Sequence, residues 1–151
     1  MLDPTYSEKC TVMLEATPDV ALVTTHQDMF GVTTETFIKS PYDPLALYGV
    51  DNMVNTAAEF RKEAWRVSGG YKPGIGYEDW EFWISLGENG FWGKLLPEPL
   101  FKYRTSMQSR YVEDKAAMHW NNLHAIRSLH PKYKVRVRKL LLKRQHTKNP
   151  T

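Results

Sequence analysis

A single cysteine, Cys10, stands in the 151 residues, and that scarcity excludes two classes of protein at once. One thiol makes neither an internal disulfide nor a cysteine-based zinc site, as expected of a reducing compartment. Long apolar runs are missing as well. None approaches the ~20 residues of a membrane-spanning helix, and Met1-Leu2-Asp3-Pro4 lacks the basic and apolar regions of a secretion signal. A cytoplasmic location is therefore expected. Acid is absent after Asp114, whereas half of the 20 Lys and Arg residues lie beyond it, so the C-terminal quarter is a basic segment. Aromatics are plentiful, with five tryptophans that need a core or a ligand to cover them. The length fits one domain with a real core but is small for a complete two-substrate enzyme.

Taken in order, Asp3-Pro4-Thr5 with Glu8 predicts a capped helix start, and Tyr6, Cys10, Met13 and Leu14 recur at helical spacing. Thr17-Pro18-Asp19 stops that helix. Val20 to Thr25 then reads as a strand buried on both faces, and this order predicts an α/β fold. His26 to Val54 is irregular, with a short helix near Leu45 to Tyr48. Ala57 to Phe60 reads as a short strand and Arg61 to Val67 as a helix closed by Gly69-Gly70. An amphipathic helix carrying Trp80, Trp83, Ile84 and Leu86 ends at Asn89-Gly90. Two short strands, Lys94 to Leu96 and Leu100 to Arg104, flank a bend at Pro97-Glu98-Pro99. A further helix, with Val112, Ala116, Trp120 and Leu123, runs to about Leu129.

Four of the nine glycines fall between residues 69 and 76, just ahead of Glu78-Asp79-Trp80. A glycine-rich loop lets the backbone approach something bulky, and a carboxylate at its end can act on that group. The same acids also suit the positive end of a helix, so capping is the alternative reading. Other constellations fail. Gly74-x-Gly76 lacks the third glycine of a dinucleotide fingerprint, His119 and His124 do not share a helix face, and Ser68, Ser85 and Cys10 lack a nucleophile context. We assign no metal ligand. The basic segment, residues 132–151, is compatible with a solvated terminus, an amphipathic helix on anionic lipid, or a nucleic-acid patch. No nucleic-acid reading motif accompanies it, so nucleic acid is not an expected partner.

The ordered set Asn52 to Asn55, Ala58-x-Phe60-Arg61-Lys62-Glu63-Ala64-Trp65, Gly69-Gly70-Tyr71, Gly76-Tyr77-Glu78-Asp79-Trp80 and Leu96-Pro97-Glu98-Pro99-Leu100-Phe101-Lys102-Tyr103-Arg104 resembles the C-terminal, acceptor-side half of a family 2, GT-A fold glycosyltransferase. Asp3-Pro4-x-Tyr6-x-Glu8-Lys9 is similar to the helix that follows the Asp-x-Asp metal motif of that family, and the motif itself is not in this sequence. The resemblance implies a partial GT-A domain over residues 1–131, with a small mixed sheet flanked by helices, followed by the basic tail. It also implies that the chain is a fragment or a shortened form, inactive alone.

Under that resemblance the reaction is inverting transfer of a sugar from a nucleotide-diphospho-sugar donor to a carbohydrate or lipid-linked acceptor hydroxyl, as in cell-surface polysaccharide biosynthesis. Asp79 matches the general base, Glu78 an orienting acid, and Gly69, Gly70, Tyr71 and Trp80 the acceptor or donor-sugar contacts. Arg104 is the expected diphosphate contact. Mg or Mn is implied for a full-length enzyme through upstream carboxylates. Relatives often carry a histidine soon after Tyr-Arg, where this sequence reads Thr105-Ser106-Met107-Gln108-Ser109-Arg110. Open strand edges predict self-association, and the basic tail predicts peripheral contact with the inner membrane face. A non-catalytic glycan- or protein-binding module with the same fold is the alternative.

Overall fold

The structure, a computed structural model, describes residues 1–48, 51–106 and 115–148. Val112 and the stretch 107–110, both weighed above, lie outside the described residues. In chain order the elements are α1 (Tyr6–Ala16), β1 (Leu22–Gly31), β2 (Glu35–Phe37), α2 (Pro44–Leu47), β3 (Glu59–Phe60), α3 (Lys62–Ser68), α4 (Glu78–Glu88), β4 (Gly93–Thr105), α5 (Lys115–Leu129) and α6 (Tyr133–Lys148). The architecture is mixed α/β, a small four-stranded sheet flanked by helices.

β1 is the axis of the sheet. One edge pairs parallel with β4 from Leu22 to Gly31, and the other pairs antiparallel first with β3 and then with β2. Its β-branched start is buried on both faces, as its apolar run predicts. Alternation sends Leu22 into one core and Val23 into another. The smaller core lies under α1, where Tyr6, Cys10 and Leu14 meet Val20, Val23 and Leu100. Burial pushes the Cys10 thiol up to about 11, so this residue is packing rather than chemistry. The larger core gathers α2, α3, α4, α5 and α6 around Phe82, Trp83, Ile84 and Leu86.

Several expectations need correction. Thr5 and Glu8 form no capping box: the Thr5 hydroxyl and amide both donate to Asp3 Oδ1, at 2.7 and 2.9 Å, closing a local turn ahead of the helix. Residues 26–31 are not irregular but continue β1, because β2 and β4 supply partners on both sides. The two strands around Pro97-Glu98-Pro99 are one strand, β4, and the proline bend appears as a register shift. Between the Thr25–Leu96 and Gln27–Phe101 pairs, β1 advances two residues and β4 five. Met1 to Asp3 lie along β4 and bond to Leu100 and Lys102.

α4 is not amphipathic. Every residue from Trp80 to Gly87 is buried, because α2, α3 and α6 pack around it. In α5 the inward residues are Leu123 and Ile126, whereas Trp120 is 60% exposed. The segment from residue 132 differs most from a solvated or lipid-lying tail. Tyr133 and Val137 are fully buried in the larger core, with Leu140 and Leu141 packed against it, while Lys134, Arg136, Arg138 and Lys139 face solvent. Its apolar stripe thus lies against the protein. Among the described residues no helix is long and apolar enough to cross a membrane.

Candidate functional site

The N-terminus of α4 opens onto a cleft of about 280 Å³. Asp79 and Trp80 reach it from the first turn of α4, and Tyr77 from the residue before. Gln27 comes from β1, Phe101 and Tyr103 from β4 just past the register shift, and Asn52, Val54, Asn55 and Thr56 from the segment ahead of β3. Lys39 completes the wall from the chain after β2. The lining combines aromatic faces with amides and hydroxyls around one acid and one cation, a composition suited to a small polar ligand.

The Asp79 carboxylate is held at both oxygens. Thr56 Oγ1 donates to Oδ2 at 2.6 Å and the Trp80 amide donates to Oδ1 at 2.7 Å. A carboxylate offers about four acceptor positions, so capacity remains for a ligand hydroxyl. The bond from the Trp80 amide also gives Asp79 part of the capping role considered above. The cap residue itself is Tyr77, which makes no side-chain cap bond and has φ 63 and ψ 47. A left-handed conformation is strained for a residue with a Cβ. Here it is held by ring contacts to Trp80, at 5.8 Å, and to His119, also at 5.8 Å. Trp80 is nearly buried, and its indole N–H donates to the Leu47 carbonyl at 2.7 Å. That bond fixes α4 against α2 and sets the position of Asp79 one residue earlier.

Lys39 is anchored at both ends. Its backbone N–H donates to His26 Nδ1 at 3.1 Å, and its ammonium donates to the Asn52 carbonyl at 3.2 Å. Burial lowers the proton affinity of the amine, opposed by the charges of Asp51 and Asp79. Asn55, only 3% exposed, donates through its side-chain amide to the Thr25 carbonyl at 2.7 Å and through its backbone N–H to Thr24 Oγ1 at 3.0 Å. Its Oδ1 is a buried acceptor with no hydrogen-bond partner among the described residues.

Of the residues singled out from the sequence, Asp79 and Trp80 share the cleft. Glu78 is exposed in the first turn of α4, where an acid suits the helix dipole. Gly69, Gly70 and Tyr71 are not part of the cleft wall. Gly69 closes α3 with φ 81, Gly70 lies against the Trp65 ring, and Tyr71 packs edge-on to Trp65 and Phe82. Arg104 is not in the wall either. Strand alternation puts Phe101 and Tyr103 on the cleft side and Arg104 on the opposite face. Lys39, Asn55 and Thr56 were not singled out as site residues. The Asn52–Asn55 stretch was a signal for three of the wall positions, Asn52, Val54 and Asn55, whereas nothing local marks Lys39.

A larger groove of about 450 Å³ lies between α1 and β4. Its Lys9 and Glu98 pair with each other, and it contains none of the predicted site residues, so the smaller cleft is the better site. Among the described residues no group of three or more His, Cys, Asp or Glu side chains is placed to hold a metal ion. In comparisons with known proteins, no family model and no curated protein matches the chain.

Proposed function

We propose that the cleft at the start of α4 is the acceptor side of a glycosyl-transfer site, with Asp79 as general base. The observation that carries this reading is the Asp79 carboxylate held at both oxygens on the wall of a cleft lined by Trp80, Tyr77, Phe101 and Tyr103. Aromatic faces suit the apolar faces of a sugar ring, and Asn52, Asn55, Thr56 and Gln27 suit its hydroxyls. The unpartnered Asn55 Oδ1 would gain a donor from a ligand hydroxyl, relieving an unsatisfied buried acceptor. The order of motifs that resembles family 2 glycosyltransferases supports the same assignment.

In the reaction, an acceptor hydroxyl attacks the anomeric carbon of a nucleotide-diphospho-sugar. Asp79 takes the hydroxyl proton as the new C–O bond forms. The bond from the anomeric carbon to the diphosphate oxygen breaks, and its electron pair leaves with the nucleotide diphosphate. Thr56 keeps one carboxylate oxygen oriented while the other positions accept the proton. Donor and metal binding belong to parts of the site outside these residues.

The test is transfer from labelled nucleotide-sugars to saccharide acceptors by the protein purified from its own source, compared with the Asp79→Asn variant. Removing a general base should lower turnover about 10²- to 10⁴-fold and leave acceptor binding within a few-fold. Near-normal turnover in the variant removes Asp79 from the chemistry. Saccharide binding without transfer from any donor favours the binding-module alternative.

A further inference from the structure

Within the reading of this cleft as an acceptor site, we infer that the acceptor carries an oxyanion, a sugar carboxylate or a phosphate, and that Lys39 selects it. Among the described residues, Lys39 supplies the only cation of the cleft-lining side chains. It is half-buried, and a buried ammonium is retained at a cost unless something compensates it. One of its three N–H donors is occupied, by the Asn52 carbonyl at 3.2 Å, a neutral acceptor. Its other close neighbour is the exposed Phe37 ring, 5.1 Å from the ammonium, which offers only a weak cation–π contact. Among the described residues the other two donors have no acceptor, which leaves them to meet a ligand.

The carboxylate of Asp79 lies on the same wall and attracts the ammonium, yet Asp79 is bonded instead by Thr56 and by the Trp80 amide. No ion pair forms between the two. The cleft thus presents a separate cation and a separate carboxylate to one ligand. A neutral sugar would fill the aromatic walls and meet Asp79, but it would leave the ammonium uncompensated. An acceptor with one charged group and one reacting hydroxyl answers both. The charge-assisted bonds to an oxyanion would also offset the burial that lowers the lysine's proton affinity.

The experiment is binding of three probes to the full chain, followed by NMR chemical shifts: glucose, glucuronic acid and glucose 6-phosphate. The expected result is that at least one anionic sugar binds about tenfold or more tightly than glucose, and whichever does so identifies carboxylate or phosphate as the source of the charge. Lys39→Met should abolish the preference, and Lys39→Arg should keep most of it. Arg104→Met, on the opposite face of the sheet, should not alter it. Equal binding of all three sugars, or a preference that survives Lys39→Met or is lost in Arg104→Met, overturns the role of Lys39 alone. Failure of all three to bind overturns the saccharide reading of the cleft as well. Asp79→Asn separates the two claims, since it should remove transfer and keep the preference for the anionic sugar.

Discussion

Thr56 and Asp79, 23 residues apart, are joined by a 2.6 Å hydrogen bond from hydroxyl to carboxylate. The bond ties the segment before β3 to the first turn of α4, so two walls of the cleft meet at the group proposed as the base. Thr56→Val keeps the shape and deletes the donor. Because the bond is exposed, its loss should cost only about 0.5–1 kcal/mol in stability, read from urea unfolding. If it orients the base, turnover should fall about tenfold with KM little changed, and Thr56→Ser should restore it. Turnover that follows stability alone, or does not change, removes the orienting role.

Elements announced by local chemistry were legible in the sequence. The glycine after Ser68, the Asn89-Gly90 stop and the β-branched start of β1 each act on their own neighbours, and each lies where its pattern places it. The remainder depended on partners far along the chain. β1 extends to Gly31 only because β2 and β4 flank it. Lys39 becomes a cleft residue only because the β1–β2 pairing returns the chain to His26 and Asn52. α4 was expected to be amphipathic, yet Ser85 donates to Glu81 at 2.8 Å inside the core.

Glu81 is fully buried, and it accepts from His130 Nε2 at 2.8 Å, from Ser85 and from Lys72, all on Oε1. His130 Nδ1 meets Glu88 Oε2 at 2.7 Å, so one ring joins two turns of α4 to the start of α6. Burial is the largest influence on the Glu81 carboxyl and pushes it up. The bonds from His130, Lys72 and Ser85 together outweigh it and hold the carboxyl below the usual carboxylate range. A depressed folded value means the unfolded chain takes up this proton first on acidification. The stabilising contribution is therefore complete above the unfolded value and is lost as pH falls from there through the folded one. Urea unfolding measured from neutral pH downward should show this loss. Glu81→Gln should be less stable at neutral pH by about 3–5 kcal/mol and should have a shallower acid slope. A variant with wild-type stability and slope would show that the cluster contributes nothing.

Gly69 and Gly70 separate two demands on a glycine. Both have positive φ, 81 and 64, but a Cβ on Gly69 meets open space, whereas one on Gly70 would lie 2.5 Å from the Trp65 ring. Gly69→Ala should cost about 1 kcal/mol, the backbone penalty alone. Gly70→Ala adds overpacking, typically ~1–3 kcal/mol more, and should shift the Trp65 fluorescence. Equal losses in the two variants would refute the packing account of Gly70.

The basic segment gives the largest expected effect. Tyr133 is fully buried, donates its hydroxyl to the Pro44 carbonyl at 2.8 Å, and stacks on Tyr48 with centroids 4.7 Å apart and planes within 5°. Farther along α6, Arg144 pairs with Asp19 and lies 5.2 Å from the Trp92 ring centroid. A solvated tail could be removed without consequence, whereas a helix that closes the core could not. Tyr133→Phe, which loses only the hydroxyl bond, should cost about 1 kcal/mol, and Tyr133→Ala about 3–5 kcal/mol. Truncation after Pro131 removes Tyr133, Val137, Leu140 and Leu141 from the larger core together, so it should abolish cooperative unfolding and expose surface that binds a hydrophobic dye. Truncation after Gln145 keeps Tyr133, Val137, Leu140 and Leu141 in place and should unfold like the full chain. If the shorter truncated protein unfolds cooperatively at the wild-type midpoint, α6 is not part of the core.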